Sequence, residues 1–220
     1  MRATLHQLLP AVLALAVLAP ARAAAQRVEL GAATGLTLPP VSQFERSPWY
    51  APSTPALVGR TEPGWRFALH ARFWMRRQVG VEGLVSRWSP KRTVALVSDP
   101  PGTGQHGATT LTSFAVRAAW RFGDLRHRHG ELALGPALTH LAGEGYSSDE
   151  FGQFRLSRRS EWGVSAAAAV VIPANRRIAV RGGADVFTYR VHMAPVQQMI
   201  DRAPLQLEWF FNLGVFARVR

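Results

Sequence analysis

Residues 205–219 read Leu-Gln-Leu-Glu-Trp-Phe-Phe-Asn-Leu-Gly-Val-Phe-Ala-Arg-Val. Every second position is apolar: Leu205, Leu207, Trp209, Phe211, Leu213, Val215, Ala217 and Val219. Between them stand Gln206, Glu208, Asn212, Gly214 and Arg218, with Phe210 and Phe216 among them. A period of two is the mark of a β-strand whose faces meet different surroundings.

The same alternation recurs upstream. In 108–122, Thr112, Phe114, Val116, Ala118, Trp120 and Phe122 oppose Ser113, Ala115, Arg117, Ala119 and Arg121. In 63–75, Trp65, Phe67, Leu69, Ala71 and Phe73 oppose Arg66, His70 and Arg72. In 159–173, Trp162, Val164, Ala166, Ala168, Val170 and Ile172 oppose Glu161, Gly163, Ser165 and Ala167, and in 177–191, Ile178, Val180, Ala184 and Val186 oppose Arg181, Gly183 and Asp185. Residues 27–38, 78–89 and 130–142 complete eight predicted strands. Two of these carry an irregularity. Arg87 ends the Val79, Val81, Gly83, Val85 face, and Pro136 sits on the Leu132, Leu134, Leu138 face. A proline inside a strand normally belongs at an edge or a bulge.

Connector lengths then set the topology. Met75–Gln78, Gly123–His129 and Pro173–Arg177 are short, whereas 39–62, 90–107, 143–158 and 192–204 are long and rich in Pro, Gly and Ser. Their composition leaves open whether the long segments are ordered. Short turns at one end and long loops at the other are the pattern of outer-membrane barrels. The expected fold class is all-β: an eight-stranded antiparallel up-and-down transmembrane β-barrel with short periplasmic turns and long extracellular loops.

Met1–Gln26 supports that location. Arg2 gives a basic start, Leu8–Ala21 is apolar apart from Pro10 and Pro20, and Ala23-Ala24-Ala25 is a small-residue cleavage site. Residues 1–25 therefore read as a removed signal peptide and 26–220 as one barrel domain. No later run is long enough for a transmembrane helix, so a closed barrel is the remaining way into a bilayer. The chain has no cysteine, which excludes disulfides and thiolate metal sites. Its formal charge of +12 is carried almost wholly by arginine, Lys91 being the sole lysine. For an exported chain this points to anionic lipid headgroups rather than nucleic acid.

With leader, strand number, connector alternation and terminal strand in place, residues 27–220 resemble the small eight-stranded outer-membrane barrels of the OmpA/OmpX type. The resemblance is architectural. Such barrels commonly end in an aromatic residue that resembles an assembly signal. This chain ends Phe216-Ala217-Arg218-Val219-Arg220, with Phe216 on the inward set, which implies a variant signal or another route of assembly.

The inward positions hold Glu29, Arg66, His70, Arg72, Glu82, Arg117, Arg121, Glu131, Glu161, Arg181, Asp185 and Glu208. Eight strands enclose little more than their own side chains. Buried charges are costly unless paired, so these groups are expected to form a polar network that plugs the lumen. Alternation also makes Arg117→Leu better tolerated than Val116→Arg, because the arginine of the latter would face lipid. Trp65, Phe73, Trp120, Phe122, Trp162 and Trp209, near the ends of the apolar faces, are expected to form aromatic girdles. Arg76, Arg77, Arg126, Arg128, Arg176 and Arg177 place a basic rim at the short turns, suited to phosphate headgroups.

No cofactor is implied. His127 and His129 lie among arginines, a poor setting for a metal cation. Gly102-Thr103-Gly104 lacks the following Lys-Ser/Thr of a phosphate-binding loop and reads as a turn. His140 has no serine near it in sequence, and Ser147 falls in a loop, so no catalytic residues are assigned. The expected function is that of a monomeric outer-membrane protein in contact with membrane lipids, with a structural or surface-interaction role. A narrow transport channel, an outer-membrane lipid-modifying enzyme and a soluble lipocalin-like ligand carrier are the alternatives.

Overall fold

A computed structural model describes residues 27–38, 42–43, 57–96, 105–124, 127–143, 145–148, 152–156, 159–190, 193–194 and 205–219. The leader, Arg126, the Gly102-Thr103-Gly104 segment, His6 and His192 lie outside the described residues.

Eight long strands build the barrel: β1 (Arg27–Leu38), β2 (Gly64–Trp74), β3 (Val79–Trp88), β4 (Gln105–Gly123), β5 (His129–Gly143), β6 (Arg159–Pro173), β7 (Ile178–Arg190) and β8 (Leu205–Val219). Each pairs antiparallel with the next, and β1 pairs with β8 to close the sheet. The predicted strands match these within a residue or two, except that β4 begins three residues earlier, at Gln105.

Closure requires the strands to be staggered, and the stagger can be followed residue by residue. Val28 pairs with Phe73, Phe73 with Val81, Val81 with Ala118 and Ala118 with Leu134. Leu134 pairs with Ala166, Ala166 with Val186, Val186 with Trp209, and Trp209 with Leu38. One circuit thus returns to β1 ten residues beyond its start. Every side chain on that circuit is apolar, so it traces a continuous hydrophobic belt around the outside.

The alternation read in the sequence sets the two faces. Phe67, Leu69, Leu134, Leu213 and Val215 are among the large apolar residues left exposed outside, while Arg66, Arg117, Arg181, Asp185 and Glu208 are buried inside. A large exposed apolar surface is unstable in water, and a closed barrel with this exterior leaves no unpaired edge to lipid. The soluble alternative, with its apolar face turned inward, is contradicted by this facing.

Pro136 does not demote β5 to an edge. The β4–β5 register is the same on both sides of it, but the pairing is interrupted between Ala115–Ala137 and Ala118–Leu134. The ladder therefore skips the residues around the missing N–H and resumes in phase.

The long connectors carry further β-structure where they are described. Leu57–Thr61 pairs with Lys91–Leu96, which pairs with the start of β4, and Ser42–Gln43 adds to the edge. Gly145–Ser148 and Gly152–Leu156 form a hairpin that Met193–Ala194 joins from the fourth loop. The first two loops thus share one sheet and the last two another. The short turns are locally specified. In the third, Asn175 Oδ1 accepts hydrogen bonds from the amides of Arg177 at 2.7 Å and Ile178 at 2.8 Å.

Candidate functional site

Five arginines (Arg66, Arg72, Arg117, Arg121, Arg181) and five carboxylates (Glu29, Glu82, Glu131, Asp185, Glu208) are buried in the lumen among the described residues. Every strand except β6 contributes at least one of them, so nearly every pair ties two strands together across or along the barrel wall.

Glu82 on β3 is the hub. It receives hydrogen bonds from Arg72 Nε at 2.8 Å and Arg117 Nε at 3.0 Å, and His70 Nδ1 lies 2.7 Å away. Arg117 reaches on to Asp185 of β7 and donates to Ser165 at 3.2 Å. Arg72 spans from Glu82 to Glu131, donating to the latter at 2.8 Å. Arg121 pairs with Glu131 at 2.9 Å and with Glu29. Arg181 completes the chain, donating to Asn212 at 2.8 Å and lying 3.5 Å from Asp185. Nearer the loops, a second cluster forms. Arg66 donates to Glu208 at 3.1 Å, Ser86 at 3.0 Å and Ser113 at 2.8 Å, and Tyr189 also donates to Glu208.

Aromatic side chains pack between the charges. Arg66 lies 4.1 Å from the Phe187 ring, Arg72 4.1 Å from Phe216 and Arg121 3.5 Å from Trp74. These contacts help hold guanidinium groups away from water. Phe216, inward as expected, thus packs among the lumen charges. At the loop-side end Trp88, Leu111 and Leu141 are buried in the lumen. A void of about 10 Å³ beside Arg72, Glu82, Glu131 and Arg181 has room for about one water.

The structure separates the predicted residues as follows. Glu29, Arg66, Arg72, Glu82, Arg117, Arg121, Glu131, Arg181, Asp185 and Glu208 come together inside, and His70 joins them. Glu161 sits directly opposite buried Thr139 near the loop-side end of β6, is itself half-buried, and pairs with exposed Arg159 at 2.6 Å. Trp65 and Trp162 stand outside near the loop-side ends with Trp209, while Trp120, Phe122 and half-buried Phe73 lie near the turns. Arg76, Arg77, Arg128, Arg176 and Arg177 are exposed at the turn end.

Two readings of histidine change. His129 turns inward and its Nε2 lies 3.5 Å from Glu131, while His127 pairs with Asp124 at 2.7 Å on the surface. His140, without a serine near it in sequence, has one in space: Ser160 of β6 lies directly opposite, its Oγ 3.0 Å from Nδ1. Sequence separation hid this pair, since cross-strand register alone creates it. Trp74, Ser86, Tyr189 and Asn212 were also missed as members of the lumen network. Their shared parity with Arg72, Glu82, Arg181 and Glu208 was the available signal.

No family model and no curated protein matches the chain. Solved structures do. The outer-membrane protein OprG from Pseudomonas aeruginosa superposes with a TM-score of 0.66 at 10% identity, over 89% of this chain and 97% of that one. A major outer-membrane protein from Thermus thermophilus gives 0.54 at 13% identity, over 89% and 100%. Neisserial surface protein A gives 0.51 at 10% identity, over 88% and 97%. At these identities the likeness establishes the fold, which is that of the small outer-membrane barrels.

Proposed function

We propose that the protein is a monomeric outer-membrane barrel with a sealed lumen, serving as a structural element of the envelope and as a platform for surface interactions. The fold shared with outer-membrane barrels and the apolar belt support residence in that membrane. The observation that carries the sealed-lumen reading is the paired set of five arginines and five carboxylates. Its members are locked by contacts mostly near 3 Å, such as Arg72–Glu131 at 2.8 Å and Arg117–Glu82 at 2.7 Å. An ion crossing the lumen would have to break several of these pairs.

The two β-sheets shared between long loops support the platform role, since paired strands hold a surface in one shape. The arginines at the turns suit anionic headgroups of the inner leaflet. Planar-bilayer recording tests the reading. The wild-type protein should give no discrete conductance. Arg117→Ala combined with Asp185→Ala should produce small cation- or anion-conducting events, because it removes the pair that bridges β4 and β7. Steady conductance from the folded wild type would instead establish the narrow-channel alternative.

A further inference from the structure

The outward positions of the eight strands carry no Asp or Glu among the described residues, and the basic side chains described there, Arg87, His140 and Arg190, all lie toward the loop-side ends. Two of them fall on a single cross-strand row. Arg87 pairs directly with Thr112, Thr112 with His140, and His140 with Ser160, on four successive strands β3 to β6. At about 4.8 Å per strand, the row spans roughly 14 Å.

The rows on either side define its level. Immediately toward the turns stand Val85, Phe114, Leu138 and Trp162, all apolar. Immediately toward the loops, Ser89 Oγ lies 3.1 Å from Thr110 Oγ1. The row from Arg87 to Ser160 is therefore the first polar one above the hydrophobic belt. Exposed Trp162 and, on β2 beside Arg87, exposed Phe67 flank it.

Arg87 has no ion pair among the described residues, although arginine on the lipid face costs roughly 2–4 kcal/mol at mid-bilayer. At the boundary, an anion supplied by the lipid removes that cost. The planar guanidinium can bind two phosphate oxygens at once. Thr112 adds a hydroxyl, and the His140–Ser160 contact fixes the imidazole, leaving Nε2 without a partner among the described residues.

We propose that Arg87, Thr112, His140 and Ser160 form a binding site on the outer wall of the barrel for the phosphate of a phosphorylated glycolipid in the outer leaflet. The proposal rests on the outer-membrane reading above, which places the long-loop end in that leaflet. The row fits a headgroup held at the membrane boundary, because it lies on the outer wall directly above the apolar row.

The test uses purified full-length protein in zwitterionic phospholipid vesicles, with or without lipid A, and with dephosphorylated lipid A as a second arm. Lipid A should raise the thermal unfolding temperature of the wild type, and the dephosphorylated form should not. Arg87→Gln combined with His140→Gln should weaken the lipid A effect at least about tenfold in the lipid concentration needed, as expected for losing charge-assisted bonds. Arg159→Gln, at the same end of the barrel but on an inward position outside the row, should leave it unchanged. Heat-modifiable gel mobility confirms that each variant is folded. An undiminished lipid A response in the folded Arg87→Gln/His140→Gln variant overturns the site, as does an equal response to dephosphorylated lipid or to inorganic phosphate in detergent. A wild type that stays soluble and never inserts overturns the membrane reading itself.

Discussion

Arg117 donates to Glu82 from Nε at 3.0 Å, holds Nη2 2.7 Å from the same carboxylate, and pairs with Asp185 on the far side. All three side chains are at most 1% exposed. Substituting Arg117 by leucine removes the partner that Glu82 and Asp185 share, leaving Glu82 to Arg72 and His70 and Asp185 to Arg181 and Asn212. Breaking a buried pair in this way costs roughly 3–5 kcal/mol. Val116 next to it is 48% exposed on the lipid side, and an arginine there costs roughly 2–4 kcal/mol at mid-bilayer. The two costs are of the same size, so the geometry removes the margin by which alternation alone makes Arg117→Leu the milder change. Denaturant unfolding in vesicles should find Arg117→Leu at least as damaging as Val116→Arg. If Arg117→Leu proves nearly neutral, the ion pairs contribute far less than their geometry implies.

At the level of elements, β6 and β7 meet most closely where an inward glycine has no Cβ. A Cβ on Gly163 would lie 1.7 Å from the Thr188 carbonyl oxygen. The Thr188 hydroxyl meanwhile accepts from the Val164 amide at 2.8 Å and donates to the Val164 carbonyl at 3.2 Å. Gly163→Ala must push the strands apart and break that bridge, an overpacking penalty of roughly 1–3 kcal/mol or more. Gly182 supplies the control, since a Cβ there would meet only Leu213 Cδ1 at 3.8 Å. Refolding yields, read from heat-modifiable mobility, should fall for Gly163→Ala and hold for Gly182→Ala. Equal yields would mean that the close approach of β6 and β7 is not needed for closure.

For the whole molecule, charge is divided by location. The lumen holds five arginines and five carboxylates, all buried, whereas Arg76, Arg77, Arg128, Arg176 and Arg177 form an exposed basic end. Salt screens exposed charges and leaves buried pairs largely untouched. Raising ionic strength from about 0.1 M to about 1 M should therefore barely move the unfolding midpoint. Over the same range, attraction of the basic end to anionic vesicles should fall sharply, as measured by co-flotation of detergent-purified protein. A large salt-induced drop in the midpoint would show that water reaches the lumen pairs.

The amino-acid sequence alone determined the strand number, their order and which face of each strand points outward. A period of two reports facing directly, and a one-residue slip would turn Arg117 and Arg121 into lipid together. Connector lengths likewise separated the two ends. Tertiary structure decided the rest. Which carboxylate Arg117 meets depends on the stagger of β3, β4 and β7, a quantity spread over all eight strands and written in no single one. The same stagger brings Ser160 against His140, while pairings among the long connectors join them into sheets. Alternation is a local property of the chain, whereas pairing across a closed barrel is fixed only when the last strand meets the first.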